Sequence, residues 1–124
     1  MRRLILRSLI ELLRYDFFLR KHDFFALYKQ VRNIPVARHT PSPNDIETIC
    51  TAVAHACMWY PKHALCLQRS TVATVLLRQH GIAAELTIGA QRLPLKSHAW
   101  VEVDGRVVND KPEVQAEYLI LDRC

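Results

Sequence analysis

The sequence contains no pair of closely spaced cysteines. Cys50, Cys57, Cys66 and Cys124 are too scattered for a zinc knuckle or a small disulfide scaffold, so free thiols in a reducing compartment are the simpler reading. It also lacks an uninterrupted apolar stretch after Arg2 and Arg3. Arg7, Glu11 and Arg14 interrupt that segment and no small-residue cleavage site follows, which argues against a secretory signal. No run is long enough to span a bilayer. These absences lead us to expect a cytoplasmic protein with no membrane span and with neither a cofactor nor a metal.

A chain of 124 residues, half of them apolar, has the size and composition of one domain with a compact core. The net charge of +5 is concentrated at the front: residues 1–40 hold nine Arg or Lys against three Asp or Glu, and the rest is close to neutral. Such an arm could attract nucleic acid, an acidic lipid surface or an acidic peptide, but a solvated helical face is the plainer reading. We therefore expect no nucleic-acid partner.

Within residues 1–40, Ile5, Leu9, Leu12 and Leu13 recur at the period of an amphipathic helix, with a break expected near Lys21 and His22. Asp23 is placed to cap a second helix through Phe24, Leu27 and Val31. Pro35, Pro41 and Pro43 then mark a linker. A third helix starts at Asn44, with Ile46, Ile49, Cys50, Val53 and Cys57 on one face. Cys50 and Cys57 thus read as buried small hydrophobes, and a metal site using His55 would need ligands from another face.

Trp59, Tyr60 and Pro61 end that helix and open a loop through Lys62 and His63 to Cys66. Leu67 to His80 reads as a helix stopped by Gly81, so Cys66 sits at its start. Ala84, Leu86, Ile88 and Ala90 alternate with polar residues or glycine, as in a half-buried strand. A turn containing Pro94 leads to a strand from Ser97 to Val103, and Arg106 to Asp110 is expected to return beside it.

The register of that hairpin decides what can meet. A two-residue Asp104–Gly105 loop would place Asp110 opposite Ala99, leaving the His98 and Asp110 side chains on opposite faces. A three-residue loop of Val103, Asp104 and Gly105 instead sets His98 against Asp110, Trp100 against Val108 and Glu102 against Arg106. The second register gives a charge pair and an apolar pair as well, and is the one expected. Cys66, His98 and Asp110 then suit a nucleophile, a base and the group that orients the base. The amides at the helix start favour a thiolate. Trp100 reads as core, and Arg69 and Ser70 as braces of the site.

The runs Cys66-Leu67-Gln68-Arg69-Ser70, Gly81-Ile82, His98-Ala99-Trp100-Val101-Glu102 and Val108-Asn109-Asp110 closely resemble the transglutaminase-like leader peptidases of lasso-peptide biosynthesis. The likeness covers roughly the C-terminal half, with the motifs in family order. It implies an α+β fold, a papain-like cysteine-protease core whose Cys-bearing helix and N-terminal helices pack on an antiparallel sheet. Residues 1–124 would form one peptidase domain, with 1–40 a basic helical arm and 44–124 the catalytic core. Cys66, His98 and Asp110 inherit the triad roles. The implied substrate is a ribosomal precursor peptide cut between leader and core, whose freed amine an ATP-dependent lasso cyclase consumes. Two front helices leave no room for a fused leader-recognition domain, so a separate recognition protein is the implied partner. Amide-forming or deamidating acyl transfer and a non-catalytic peptide scaffold are the alternative functions.

Overall fold

A computed structural model describes residues 1–60, 66–92 and 95–124. The helices are α1 (Arg2–Lys21), α2 (Phe24–Arg32), α3 (Asp45–Trp59), α4 (Cys66–Gln79) and the single turn α5 (Val114–Glu117). The strands are β1 (Ala84–Gln91), β2 (Lys96–Val103), β3 (Arg106–Val107) and β4 (Leu119–Arg123), in one antiparallel sheet of order β3-β2-β1-β4. The α+β architecture expected from the sequence is the one observed. The expected loop through Lys62 and His63, and Pro94 of the expected turn, lie outside the described residues.

The helix boundaries follow local chemistry. α1 stops where His22 turns extended, and the Asp23 carboxylate then accepts the Ala26 N–H at 2.9 Å to start α2. α4 ends on Gly81 with φ +84°: the Gly81 N–H donates to the Arg78 carbonyl, which also accepts the Ala37 N–H, and the Ile82 N–H donates to the Leu77 carbonyl, so the chain turns back on the last turn of the helix. A side chain at Gly81 would collide with the His39 carbonyl, which also ties this stop to the linker.

Burial of one face of each element makes the core. Leu12 and Tyr15 of α1, Leu27 and Val31 of α2, and Ile49 and Val53 of α3 meet α4, which is buried from Ser70 to Arg78. Leu86 of β1 and Ala99 and Val101 of β2 complete it from the sheet. Full burial of each such Leu, Ile or Val contributes roughly 1.5–3 kcal/mol. Ile49 and Val53 lie on the expected face of α3, whereas Leu13, expected on the apolar face of α1, is 62% exposed. The α1 pattern supports two apolar stripes, and only that of Leu12 and Tyr15 faces inward.

The hairpin register is the main correction. Val103 pairs with Arg106 and Glu102 with Val107, so the loop is the two-residue Asp104–Gly105 turn. Asp104 and Gly105 have φ +53° and +76°, the left-handed pair of a type I′ turn, whose twist matches that of the strands. Trp100 therefore does not face Val108 across the ladder, and Glu102 does not pair with Arg106. The β4 strand, which has no counterpart in the expected elements, takes the free edge of β1.

Candidate active site

Cys66 is the first residue of α4 and half-buried. The helix behind it is anchored on all sides, which fixes the thiol in space. Its buried hydroxyls are satisfied within the helix, Thr71 Oγ1 donating to the Leu67 carbonyl at 2.7 Å and Thr74 Oγ1 to the Ser70 carbonyl at 2.8 Å.

His98 and Asp110 meet in spite of the register. His98 Nε2 lies 2.6 Å from Asp110 Oδ2. A regular continuation of β3 would put Asp110 opposite Ala99, on the wrong face, but the ladder stops short of it. The Val108 N–H still donates to the Val101 carbonyl at 3.0 Å. The reciprocal Val101 N–H goes instead to Asn109 Oδ1 at 2.8 Å, so a side chain replaces the next backbone partner. Asn109 Nδ2 donates to Ser70 Oγ at 3.0 Å, and Ser70 Oγ donates to the Ala99 carbonyl at 3.1 Å. This clamp joins α4, β2 and the bend at 108–110. The bend releases Asp110 from the ladder and lets it reach His98.

The imidazole is also held by stacking. The Tyr118 ring lies 5.3 Å from it at 27°, and Trp100 lies 5.9 Å away. Trp100 is completely buried, as expected, and its Nε1 donates to Glu102 Oε2 at 2.8 Å. Glu102, 1% exposed, also accepts from Arg123 Nε at 2.9 Å and Gln115 Nε2 at 3.1 Å. Burial pushes the Glu102 carboxyl up, but its bonds to Trp100, Gln115 and Arg123 and the Arg123 charge outweigh this and hold it low. Gly89 leaves room beneath: a Cβ there would come within 2.7 Å of both Trp100 and Tyr118.

Asp110 follows the same logic. Burial favours its neutral form, yet the His98 bond, the Lys111 N–H and the His98 and Arg69 charges together hold its carboxyl below the usual range. Arg69 Nη2 is 4.0 Å from Asp110 Oδ2. An ionised carboxylate only accepts, so Nε2 carries the imidazole proton and Nδ1 is the nitrogen left with a lone pair. Cys66 and His98 line one cavity of about 450 Å³, together with Leu67, Gln68, Ile88 and Tyr28. Gln68 Oε1 is buried there and has no hydrogen-bond partner among the described residues.

The other thiols are poor nucleophiles. Burial pushes Cys50 up to about 11, and burial also raises Cys57 and Cys124. Among the described residues no group of three or more His, Cys, Asp and Glu could hold a metal ion. Three chemical types thus converge, a thiol and a carboxylate-oriented imidazole on one cavity with the carboxylate behind. Ser70 braces the site as expected. Tyr118, Asn109 and Gln115 also contribute, through contacts that the local sequence pattern does not signal. The apolar run Leu119–Leu121 signals a strand that would have brought Tyr118 towards the sheet.

A family model described as the transglutaminase-like superfamily matches residues 9–122. The microcin J25-processing protein McjB of Escherichia coli is 38% identical over 56 residues, which are 45% of this chain and 27% of that protein. The match thus spans about a quarter of the length of this relative. No solved structure matches the chain.

Proposed function

The chain belongs to the transglutaminase-like superfamily, and from that premise we propose that it is a cysteine endopeptidase that removes the leader from a lasso-peptide precursor. The observation that carries the chemistry is the 2.6 Å bond from His98 Nε2 to Asp110, which leaves Nδ1 free beside a cavity that Cys66 shares. The resemblance of the Cys66, His98 and Asp110 runs to lasso leader peptidases, and the likeness to a microcin-processing protein, support the substrate class.

In the proposed reaction, Cys66 Sγ gives its proton to His98 Nδ1 and attacks the scissile carbonyl carbon. Asp110 stabilises the imidazolium and keeps its tautomer. The N–H groups at the start of α4 stabilise the oxyanion. As the C–N bond breaks, His98 protonates the departing core amine and the leader remains as a thioester on Cys66. Water, deprotonated by His98, then attacks the thioester, releasing the leader carboxylate and restoring the thiol. Gln68 Oε1, without a hydrogen-bond partner among the described residues, is the acceptor for a substrate backbone N–H in the cavity.

The partners of this reading are the precursor peptide, a separate leader-recognition protein and the ATP-dependent cyclase that consumes the freed amine. Free thiols fit a reducing, cytoplasmic setting. Incubating the protein with a candidate precursor and recognition protein, followed by mass spectrometry, tests the proposal. Two free peptides that vanish with Cys66→Ala are expected. A single joined product would mean acyl transfer, and an intact function in Cys66→Ala would mean a peptide-binding scaffold.

A further inference from the structure

The outward face of α1 carries an apolar seam that none of the described residues covers. Leu6, Ile10, Leu13 and Phe17 are 58%, 56%, 62% and 56% exposed. The helix is already packed through its other side, on α3 and α4, with Ser8, Leu12 and Tyr15 buried. The outer residues are therefore not needed for the core. Water-facing apolar rows of this kind on a small protein mark interaction sites.

Their spacing narrows the occupant. Steps of four, three and four residues are those of a helix–helix seam, with Ile10 and Phe17 at one core position of a heptad and Leu6 and Leu13 at the other. The row spans about 16 Å along the axis, at about 1.5 Å per residue. The positions flanking the seam on one side are Arg7, Arg14 and Lys21, all exposed, and Arg3 and Arg20 close the row at its ends. Lys21 Nζ lies 4.6 Å over the Phe17 ring. The two acids of α1 are half-buried and turned to Arg14 and Arg20, Glu11 at 3.4 Å and Asp16 at 3.8 Å. A depression of about 250 Å³ between Phe17, Lys21, His22 and Gln30 lies at the C-terminal end of the row.

We propose that this face docks an amphipathic helix of a partner protein, one whose own apolar seam is flanked by Asp or Glu opposite Arg7, Arg14 and Lys21. Two other occupants fit less well. An interfacial membrane helix buries a broad apolar face, whereas this row covers about 60° of arc at about 100° per residue. A second copy in antiparallel array would set Arg7, Arg14 and Lys21 against their own equivalents. The surface is separate from the Cys66 cavity and does not depend on the peptidase reading.

The test uses the intact chain and two synthetic helical peptides about three heptads long, both with Leu at the seam, one with Glu and one with Lys at the flanks. The Glu peptide binds and the Lys peptide does not. Ile10→Glu and Leu13→Glu each weaken binding at least about tenfold, and the exposed positions leave the far-ultraviolet spectrum unchanged. The triple variant Arg7→Glu, Arg14→Glu, Lys21→Glu exchanges the preference and takes the Lys peptide. Cys66→Ala binds as the unmodified chain does, which separates this surface from the catalytic reading. Equal binding of both peptides, binding of neither, or a reversal variant that keeps the original preference overturns the proposal. So does tighter, Ile10-dependent capture by phosphatidylglycerol vesicles, or Leu13-dependent dimerisation in sedimentation.

Discussion

His98 is constrained by neighbours that each remove a different freedom. Asp110 sets which nitrogen carries the proton, and the Tyr118 and Trp100 rings set the plane. Asp110→Asn keeps the shape but can donate to Nε2 and invert the tautomer. In the proposed reaction, peptide cleavage is expected to fall by about 10²–10⁴ in kcat, with little change in KM. The same carboxylate links acidity to stability. Its folded pKa is depressed, so its contribution is present above the unfolded carboxylate value near ~3.9 and is lost as pH falls through the lower folded one. Melting temperatures measured downward from about pH 6 should fall less steeply for Asp110→Asn than for the unmodified chain. Equal slopes would contradict the depressed value. Gly89→Ala is expected to cost about 1–3 kcal/mol by urea denaturation, because its Cβ would meet Trp100 and Tyr118 at 2.7 Å.

At the scale of elements, the hairpin shows how a side chain can end a ladder. The Asp104–Gly105 turn pairs Val103 with Arg106, and the same register carried onward would hold Asp110 away from His98. Asn109 intervenes by taking the Val101 N–H and reaching Ser70. Asn109→Ala leaves a backbone donor unpaired, a cost of about 1–3 kcal/mol. It should also lower cleavage beyond what the stability loss explains, measured well below the melting temperature. Ser70→Ala, which keeps the Asn109 to Val101 bond, should lose less. Asp-Gly is itself the strongest short hairpin signal. The three-residue alternative assumes that His98 and Asp110 must meet across the ladder, and they meet just beyond its end.

For the whole molecule, two buried charges knit distant segments. Arg78 on α4 donates to the carbonyls of Val31, Ala84 and Cys124 at 2.5, 2.9 and 2.6 Å, tying α2, β1 and the end of β4 together. Burial draws its pKa down, and four carbonyl acceptors, the fourth being that of Ile34 at 3.3 Å, compensate the guanidinium. Arg78→Met is expected to destabilise by about 3 kcal/mol or more, read as a lower urea midpoint. Glu102 plays the corresponding part on the other face of the sheet through Trp100, Gln115 and Arg123.

The sequence alone determined the α1 to α2 break, the start of α3, the stop at Gly81 and the strand character of β1 and β2. Each rests on local chemistry: a capping carboxylate, a glycine that tolerates positive φ, or a repeat of two or 3.6 residues. The order of Cys66, His98 and Asp110 was legible for the same reason. Only the tertiary structure decided which stripe of α1 faces inward, because both stripes have helical period and neither carries a record of what covers it. It also decided the role of Asn109, the placing of β4 and the stacking of Tyr118 on His98. Those depend on contacts between residues far apart in the chain, which no local period encodes.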